Sequence, residues 1–204
     1  AVVAAMQVMQ RRGVSLPLML SVTISDLAGR TLSGQTLEAF LASVSTYPIF
    51  SVGLNCSFGA RQLKPYLRQL ARLAPCYVSA HPNAGLPDSL GQYDDTPAEM
   101  AAQIAEFIDE GLVNIVGGCC GTTPEHLRLT IEKCRKVPFR PPVAKRRTVV
   151  SSFSQAVEIG PKPVIIGERI NPTGKSKFKA ALRENNIEYI LGEGMAQEDS
   201  GAHI

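Results

Sequence analysis

The sequence predicts an α/β fold whose strands form a parallel sheet, and three observations lead to this prediction. Short apolar runs alternate with segments of helical spacing along most of the chain. Thr-Pro pairs at Thr96 and Thr123 mark helix starts, with threonine as N-cap and proline at the first helical position. Cysteines follow two of the apolar runs, at the strand ends where parallel sheets and barrels keep their chemistry.

The amino-terminal part of the chain supplies the first two strands. Residues 1–12 are good helix formers, and Gly13 is the expected C-terminal cap. The apolar run 16–24 predicts a buried strand, and a short helix is expected over 36–43. The second strand is expected over 48–55.

Two more strand and helix pairs follow. Leucines from residue 63 to 73 keep helical spacing, which requires Pro65 to lie in the first turn of that helix. A third strand is expected over 76–81, and a helix follows Thr96, whose capping-box spacing marks its start. The last strand of this series is 113–116, and the helix after it begins at Pro124 and runs to about residue 136.

The four strand and helix units would make half of a barrel. A closed barrel of this kind needs eight units, so we expect the other half to precede Ala1 and the chain to be an internal piece of a longer protein. Half a barrel leaves sheet edges unpaired and apolar faces uncovered. The isolated piece is therefore expected to be marginally stable or to aggregate.

Beyond the fourth unit the composition changes. Prolines and basic residues over 137–147 are typical of a linker, and 148–159 is expected to form a hairpin or strand. The strand, loop and helix pattern restarts at Pro163, with a basic helix over 175–185. The predicted organisation is thus a half barrel over 1–136, a linker and possible hairpin over 137–162, and the start of a second α/β domain over 163–204.

Composition excludes several classes of protein. The 204 residues are 45% hydrophobic and 19% charged, as in an ordinary globular protein. A net charge of +3 is too small to indicate nucleic-acid binding, and no apolar run reaches the ~18 to 20 residues of a membrane span. Five cysteines, an odd number, argue against a disulfide framework and for a reducing compartment such as the cytoplasm.

Three of the cysteines are candidate metal ligands. Cys119 and Cys120 lie in a Gly-Gly-Cys-Cys-Gly turn, and Cys56 follows the second strand. Adjacent residues on a regular strand point to opposite faces, so we expect the flanking glycines to adopt positive φ angles that bring both thiols together. Three thiolates with one open position have the composition of a catalytic zinc site. The alternative is that these are buried free cysteines, which is also our interpretation of Cys76 and Cys134.

The histidines leave one further alternative open. His81 ends the third strand and could be a fourth ligand, in which case the site would be closed and the chain would serve as a non-catalytic scaffold. A role in the pocket wall is the interpretation that we favour. His126 and His203 are taken as structural residues.

Three motifs of this chain resemble the zinc-dependent homocysteine S-methyltransferases. They are Gly-Leu-Asn-Cys ending at Cys56, Ser-Ala-His-Pro-Asn-Ala-Gly ending at Gly85, and Gly-Gly-Cys-Cys-Gly-Thr-Thr-Pro ending at Pro124. The resemblance implies a (β/α)8 TIM barrel in which Cys56, Cys119 and Cys120 bind zinc. It further implies that homocysteine adds its sulfur as fourth ligand, is deprotonated, and accepts a methyl group to give methionine.

A second resemblance concerns the segment from Gly167 to Phe178. Its Gly-Glu-Arg-Ile-Asn-Pro-Thr-Gly motif is similar to the opening of the pterin-binding barrel of the cobalamin-dependent methionine synthases. The resemblance implies a full-length protein that uses methylcobalamin, bound by another module of the same chain, and methyltetrahydrofolate, with Asn171 contacting the pterin. Without the resemblance, Asn171 would be a turn residue before proline. A homocysteine methyltransferase that uses another donor remains an alternative.

Overall fold

A computed structural model describes all residues 1–204. The chain separates into two compact units. The first comprises Ala1–Arg146 with Ser151–Ala156, and the second comprises Arg147–Val150 with Val157–Ile204. None of the helices combines the length and the apolar character that crossing a bilayer would require.

The first unit contains alternating strands and helices, as the sequence predicts. Its strands are β1 (Leu18–Val22), β2 (Ile49–Gly59), β3 (Tyr77–Asn83) and β4 (Ile115–Val116). Its helices are α1 (Val2–Arg12), α2 (Leu37–Val44), α3 (Ala60–Leu73), α4 (Pro97–Asp109) and α5 (Pro124–Cys134).

The four strands form one sheet in the order β1-β2-β3-β4, and every neighbouring pair is parallel. The prediction of a parallel α/β sheet is confirmed. The sheet is compatible with part of a TIM barrel, whereas closure into a barrel remains a prediction. Because all strands run the same way, their carboxyl ends lie at one edge of the sheet.

The apolar core lies between the sheet and α3 and α4. Leu63, Leu67 and Leu70 of α3 are fully buried, as are Met100 and Phe107 of α4. These positions recur at the spacing that places them on one helix face. Burial of each such side chain contributes about 1.5–3 kcal/mol to folding, so this packing fixes the sheet beneath the helices.

Helix starts follow the predicted capping signals. The Thr96 hydroxyl accepts a hydrogen bond from the Glu99 N–H, and the Glu99 carboxylate accepts one from the Thr96 N–H at 2.8 Å. Gly13 caps α1 with φ 63°, as expected. Thr36 caps α2 through its hydroxyl.

The prediction for Pro65 is wrong. Helix α3 begins at Ala60, so proline lies beyond the first turn, inside the helix. The buried face of the helix already includes Ala60 and Leu63, and burial of these residues outweighs the one backbone hydrogen bond that proline removes. The strand expected over 113–116 is also shorter, because only Ile115 and Val116 pair with β3.

Residues 148–159 form the predicted hairpin, with β5 (Thr148–Ser151) and β6 (Ala156–Ile159) in a two-stranded sheet. The short connection allows only antiparallel pairing, since parallel strands need a longer crossover.

The second unit departs from prediction at its first strand. Residues 163–174 have no regular strand, and Ile165 instead accepts backbone hydrogen bonds from His203 at 2.8 Å and Ile204 at 3.3 Å. No neighbouring strand lies beside this segment to complete a ladder, and Ile165 and Ile166 remain exposed. The expected basic helix is present as α6 (Ser176–Arg183). A helix that was not predicted follows it, α7 (Ile187–Asp199), in which two glycines obscure the helical pattern.

Candidate metal centre

The end of β2 has an unusual backbone at Cys56. Both Cys56 and Ser57 have φ 60°, in the left-handed region that residues with a side chain rarely adopt. The regular pairing of β2 with β3 is interrupted between Asn55 and Gly59. Such a conformation costs of order 1–3 kcal/mol per residue and is concentrated at functional sites. The conformation of Cys56 is therefore evidence of a function at this strand end.

Asn55, directly before this turn, is held by its neighbouring strand. The Ser21 hydroxyl of β1 donates a hydrogen bond of 2.8 Å to the Asn55 side-chain carbonyl. The strand end that presents Cys56 is thereby tied to β1 as well as to β3.

The loop after β4, residues 117–121, lies along the end of β3. The bonds that hold it are Gly117 N–H to Ala80 O at 3.0 Å, Cys119 N–H to Pro82 O at 2.8 Å, Ala84 N–H to Cys120 O at 2.9 Å, and Cys120 N–H to Asn83 Oδ1 at 3.2 Å. Both cysteine-bearing segments thus flank β3. This arrangement brings together side chains that are 64 residues apart in sequence.

The glycines of this loop act differently from what we expected. Gly121 has φ 75°, as predicted, but Gly117 and Gly118 do not have positive φ angles. They are needed for space instead: a Cβ on Gly117 would lie 2.6 Å from His81 Cδ2, and one on Gly118 would lie 2.3 Å from Thr122 Oγ1. Real Cβ atoms do not approach other atoms so closely, so a larger residue would push the loop from the strand end.

The sulfur atoms of Cys56, Cys119 and Cys120 all lie within 4.8 Å of one another. The Cys56–Cys120 distance is 3.7 Å and the Cys119–Cys120 distance is 3.9 Å. All three are free thiols, and this cluster could hold a metal ion. Cys76 and Cys134 are outside the cluster.

The environments of two thiols differ. Burial, followed by the hydrogen bond with Cys56, raises the pKa of Cys119 to about 11. The nearby Tyr93 hydroxyl, followed by the thiols of Cys56 and Cys119, lowers the pKa of Cys120. A nearby cation favours the thiolate form of such clustered thiols. Cysteine side chains that bind a metal ion together are usually thiolates.

The structure does not bring His81 into the sulfur cluster. Its half-buried ring lies against Gly117, and burial lowers the pKa of the imidazole. Burial therefore favours the neutral form of the His81 imidazole beside the cysteine loop.

His126 has a structural position. Its Nδ1 accepts a hydrogen bond of 3.2 Å from the Thr123 N–H, and its Nε2 lies 3.0 Å from the Asp95 carbonyl oxygen. The buried ring thus joins the start of α5 to the loop that follows β3.

Two residues near the cluster were not singled out by sequence reasoning. Asn83 belongs to a quoted motif, yet nothing in the sequence indicates that its side chain accepts the Cys120 N–H. Tyr93 lies in an irregular loop, where no periodicity relates it to a distant cysteine.

Asn171, the predicted pterin contact, lies in the second unit. Its side-chain carbonyl accepts a hydrogen bond of 3.0 Å from the Thr173 N–H. This is the local turn contact expected of asparagine before proline. The Asn171 side chain is exposed, and its amide nitrogen has no hydrogen-bond partner within this turn.

The fold is a parallel β/α sheet, and a thiol cluster lies at the carboxyl edge of its strands. Enzymes with such sheets carry their active sites at this edge, so the cluster is a candidate metal site of an α/β enzyme. Residues 1–134 match the family model for homocysteine S-methyltransferase. The match covers more than half of the chain, and the chain belongs to the homocysteine S-methyltransferase family. Membership supports methyl transfer to homocysteine and assigns the chain to the methyltransferases.

Proposed function

We propose that this chain is part of a protein that catalyses zinc-dependent transfer of a methyl group to the thiolate of homocysteine, which gives methionine, and that the piece alone is inactive. The observation that carries the proposal is the sulfur cluster of Cys56, Cys119 and Cys120 at the carboxyl edge of a sheet of this family. A direct test is whether the full-length protein forms methionine from homocysteine and methylcobalamin in proportion to its zinc content.

The three side chains fit zinc. Thiolate sulfur is a preferred zinc donor, and three protein ligands leave one position for substrate. The absence of His81 from the cluster argues against a closed structural site. Bound zinc would supply a positive charge that favours the thiolate form of a substrate sulfur joining it.

The residues around the cluster suggest how the substrate approaches. Cys120 is exposed, whereas Cys56 and Cys119 are half-buried, so the open side of the cluster is the side of Cys120. Asn83 and Pro82 fix the backbone of the cysteine loop by accepting its N–H groups. Preformed ligands of this kind need no rearrangement when homocysteine binds.

For the methyl donor, we propose methylcobalamin regenerated from methyltetrahydrofolate, within a cytoplasmic methionine synthase. The proposal is supported by the resemblance of the Gly167 to Gly174 loop to a pterin-binding domain. Lys175, directly after this loop, pairs with Glu168 at 3.1 Å, and the Asn171 side chain is exposed. The assignment of 1–136 and 163–204 to separate homocysteine and pterin domains belongs to the same proposal.

Changing Asn171 to Ala should weaken the use of methyltetrahydrofolate by the full-length protein about five-fold or more, since a lost polar contact to a ligand costs about 1–3 kcal/mol. Homocysteine affinity should not change, because the two sites are distinct. Steady-state kinetics with each substrate varied in turn would measure both effects.

The matched control is Asn186→Ala. Asn186 caps α7 in the same unit by accepting the Tyr189 N–H at 3.0 Å, so its loss tests general destabilisation of that unit. If Asn171→Ala reduced zinc content or homocysteine binding, the separation of the two sites would be wrong.

A further inference from the structure

The tip of the β5–β6 hairpin, residues Ser151–Ala156, belongs to the first unit. It lies beyond the range 1–134 that matches the family. Two hydrogen bonds close its turn: the Ser152 N–H donates to the Gln155 carbonyl at 2.9 Å, and the Gln155 N–H donates to the Ser152 hydroxyl at 3.2 Å. The hairpin tip therefore has a defined backbone conformation of its own.

The hairpin tip lies against the end of the loop that joins β1 to α2. The Thr36 hydroxyl donates a hydrogen bond of 2.8 Å to the Ser154 carbonyl, and it also accepts the Ala39 N–H as the N-cap of α2. The Phe153 ring lies beside Gly34, with its Cε1 3.9 Å from the place that a Cβ on this glycine would take. The hairpin tip thus contacts two nearly adjacent positions of the loop.

The part of this loop that the hairpin tip contacts is the 31–36 loop, which projects from the sheet. Bridges from Ile24 to Thr31 and from Arg30 to Thr36 close its base. Its crest has little packing of its own, because Leu32 is 93% exposed. A segment with few buried contacts opens at low free-energy cost. The contacts from the hairpin tip therefore restrain a loop that would otherwise be free to move.

The 31–36 loop lines an open groove of about 550 Å³ at the carboxyl end of β1. Hydroxyl and amide groups face this groove, and they belong to Ser21, Thr31, Ser33 and Gln35. The groove adjoins the sulfur cluster, because Ser21 is hydrogen-bonded to Asn55, the residue before Cys56. Such donors and acceptors suit the polar end of a substrate whose sulfur joins the metal.

We propose that the hairpin tip is a positioning element for the substrate. It holds the 31–36 loop in the conformation that forms one wall of the groove, and it does so through Thr36 and Phe153. A loop that leaves this conformation part of the time lowers the apparent affinity for substrate by the fraction of time that it is away. The role rests on the proposed function, since it concerns the binding of homocysteine.

The test is Thr36→Asp in the zinc-loaded full-length protein. Aspartate accepts the Ala39 N–H as an N-cap but cannot donate to the Ser154 carbonyl, so α2 keeps its cap while the hairpin tip is released. The KM for homocysteine should rise about five-fold, as loss of a hydrogen bond of ordinary strength gives, with kcat and zinc content unchanged. Thr36→Ser retains both functions of the hydroxyl and should restore the KM of the unmodified protein.

Phe153→Ala changes the hairpin tip and leaves the 31–36 loop intact, and it should raise the KM in the same way. Phe139→Ala is the matched control, because the Phe139 side chain is 67% exposed and that of Phe153 is 61% exposed. Phe139 packs on Tyr77 at the start of β3, at the opposite edge of the sheet from the groove. Its removal should not change the KM for homocysteine.

Hydrogen–deuterium exchange of the backbone amides of residues 31–36 measures the loop without catalysis. Exchange should be faster in Thr36→Asp and in Phe153→Ala than in the unmodified protein, and it should be unchanged in Phe139→Ala. An unchanged KM in Thr36→Asp, with or without faster exchange, would overturn the proposal, as would an equal rise in Phe139→Ala. If the unmodified protein formed no methionine, the proposed function would fail, whereas the exchange rates would still decide whether the hairpin tip restrains the loop.

Discussion

Changing Cys56, Cys119 or Cys120 to Ala is expected to reduce the zinc content of the full-length protein from about one ion per chain to a small fraction of that value. Each change removes one of three sulfur atoms that lie within 4.8 Å of one another. Two remaining thiolates do not make a zinc site of the catalytic type. Loss of a residue that only supports a ligand lowers metal affinity by up to roughly 100-fold. Loss of a ligand itself should lower the affinity for zinc by more than that.

Cys76→Ala and Cys134→Ala are the matched controls, because both cysteines are free, half-buried and outside the cluster. Both variants should retain zinc after dialysis against a weak chelator, as measured by elemental analysis. Full zinc content in Cys56→Ala, or loss of zinc in either control, would mean that the ligands have been assigned wrongly.

The largest effect on stability is expected from Gly53→Ala, with a loss of about 3 kcal/mol in the free energy of unfolding. A Cβ at Gly53 would lie 1.9 Å from Ser79 Oγ and 2.3 Å from Ser79 O. Gly53 cannot move away, because it is paired with Ser79 on one side and with Ser21 on the other. The change therefore separates strands in the middle of the sheet.

Gly192→Ala provides the comparison for Gly53→Ala. Gly192 lies in α7 with open space around its Cβ position, so alanine should be neutral or stabilise that helix by up to about 1 kcal/mol. Urea unfolding of the full-length protein would measure both changes. Equal midpoints for Gly53→Ala and the unmodified protein would show that the β2–β3 pairing is less rigid than the structure indicates.

The sequence was sufficient to place the cysteine cluster, because the argument needed only strand order and direction. Parallel strands end at one edge. Cys56 lies near the carboxyl end of β2 and Cys120 follows β4, and both strands lie beside β3. Capping signals at Thr96 and Thr123 were equally local, and the helices begin where those signals predicted.

Features that depend on contacts between distant residues could not be predicted. The left-handed backbone at Cys56 and Ser57 has no local signal, since neither residue type favours positive φ. A larger residue at position 117 would clash with His81, and one at position 121 would clash with Tyr93. The sequence does not show that these residues are neighbours in the folded chain. The irregular segment at Ile165 follows from the lack of a neighbouring strand, which apolar character alone does not reveal.

The most direct test of zinc-assisted methyl transfer is X-ray absorption at the zinc edge of the full-length protein, with and without homocysteine. If Cys56, Cys119 and Cys120 are the ligands and one position is open to substrate, zinc should have about three sulfur neighbours alone and about four with homocysteine. A sulfur count that does not change on adding homocysteine would contradict the account, because zinc would then not contact the thiol that accepts the methyl group.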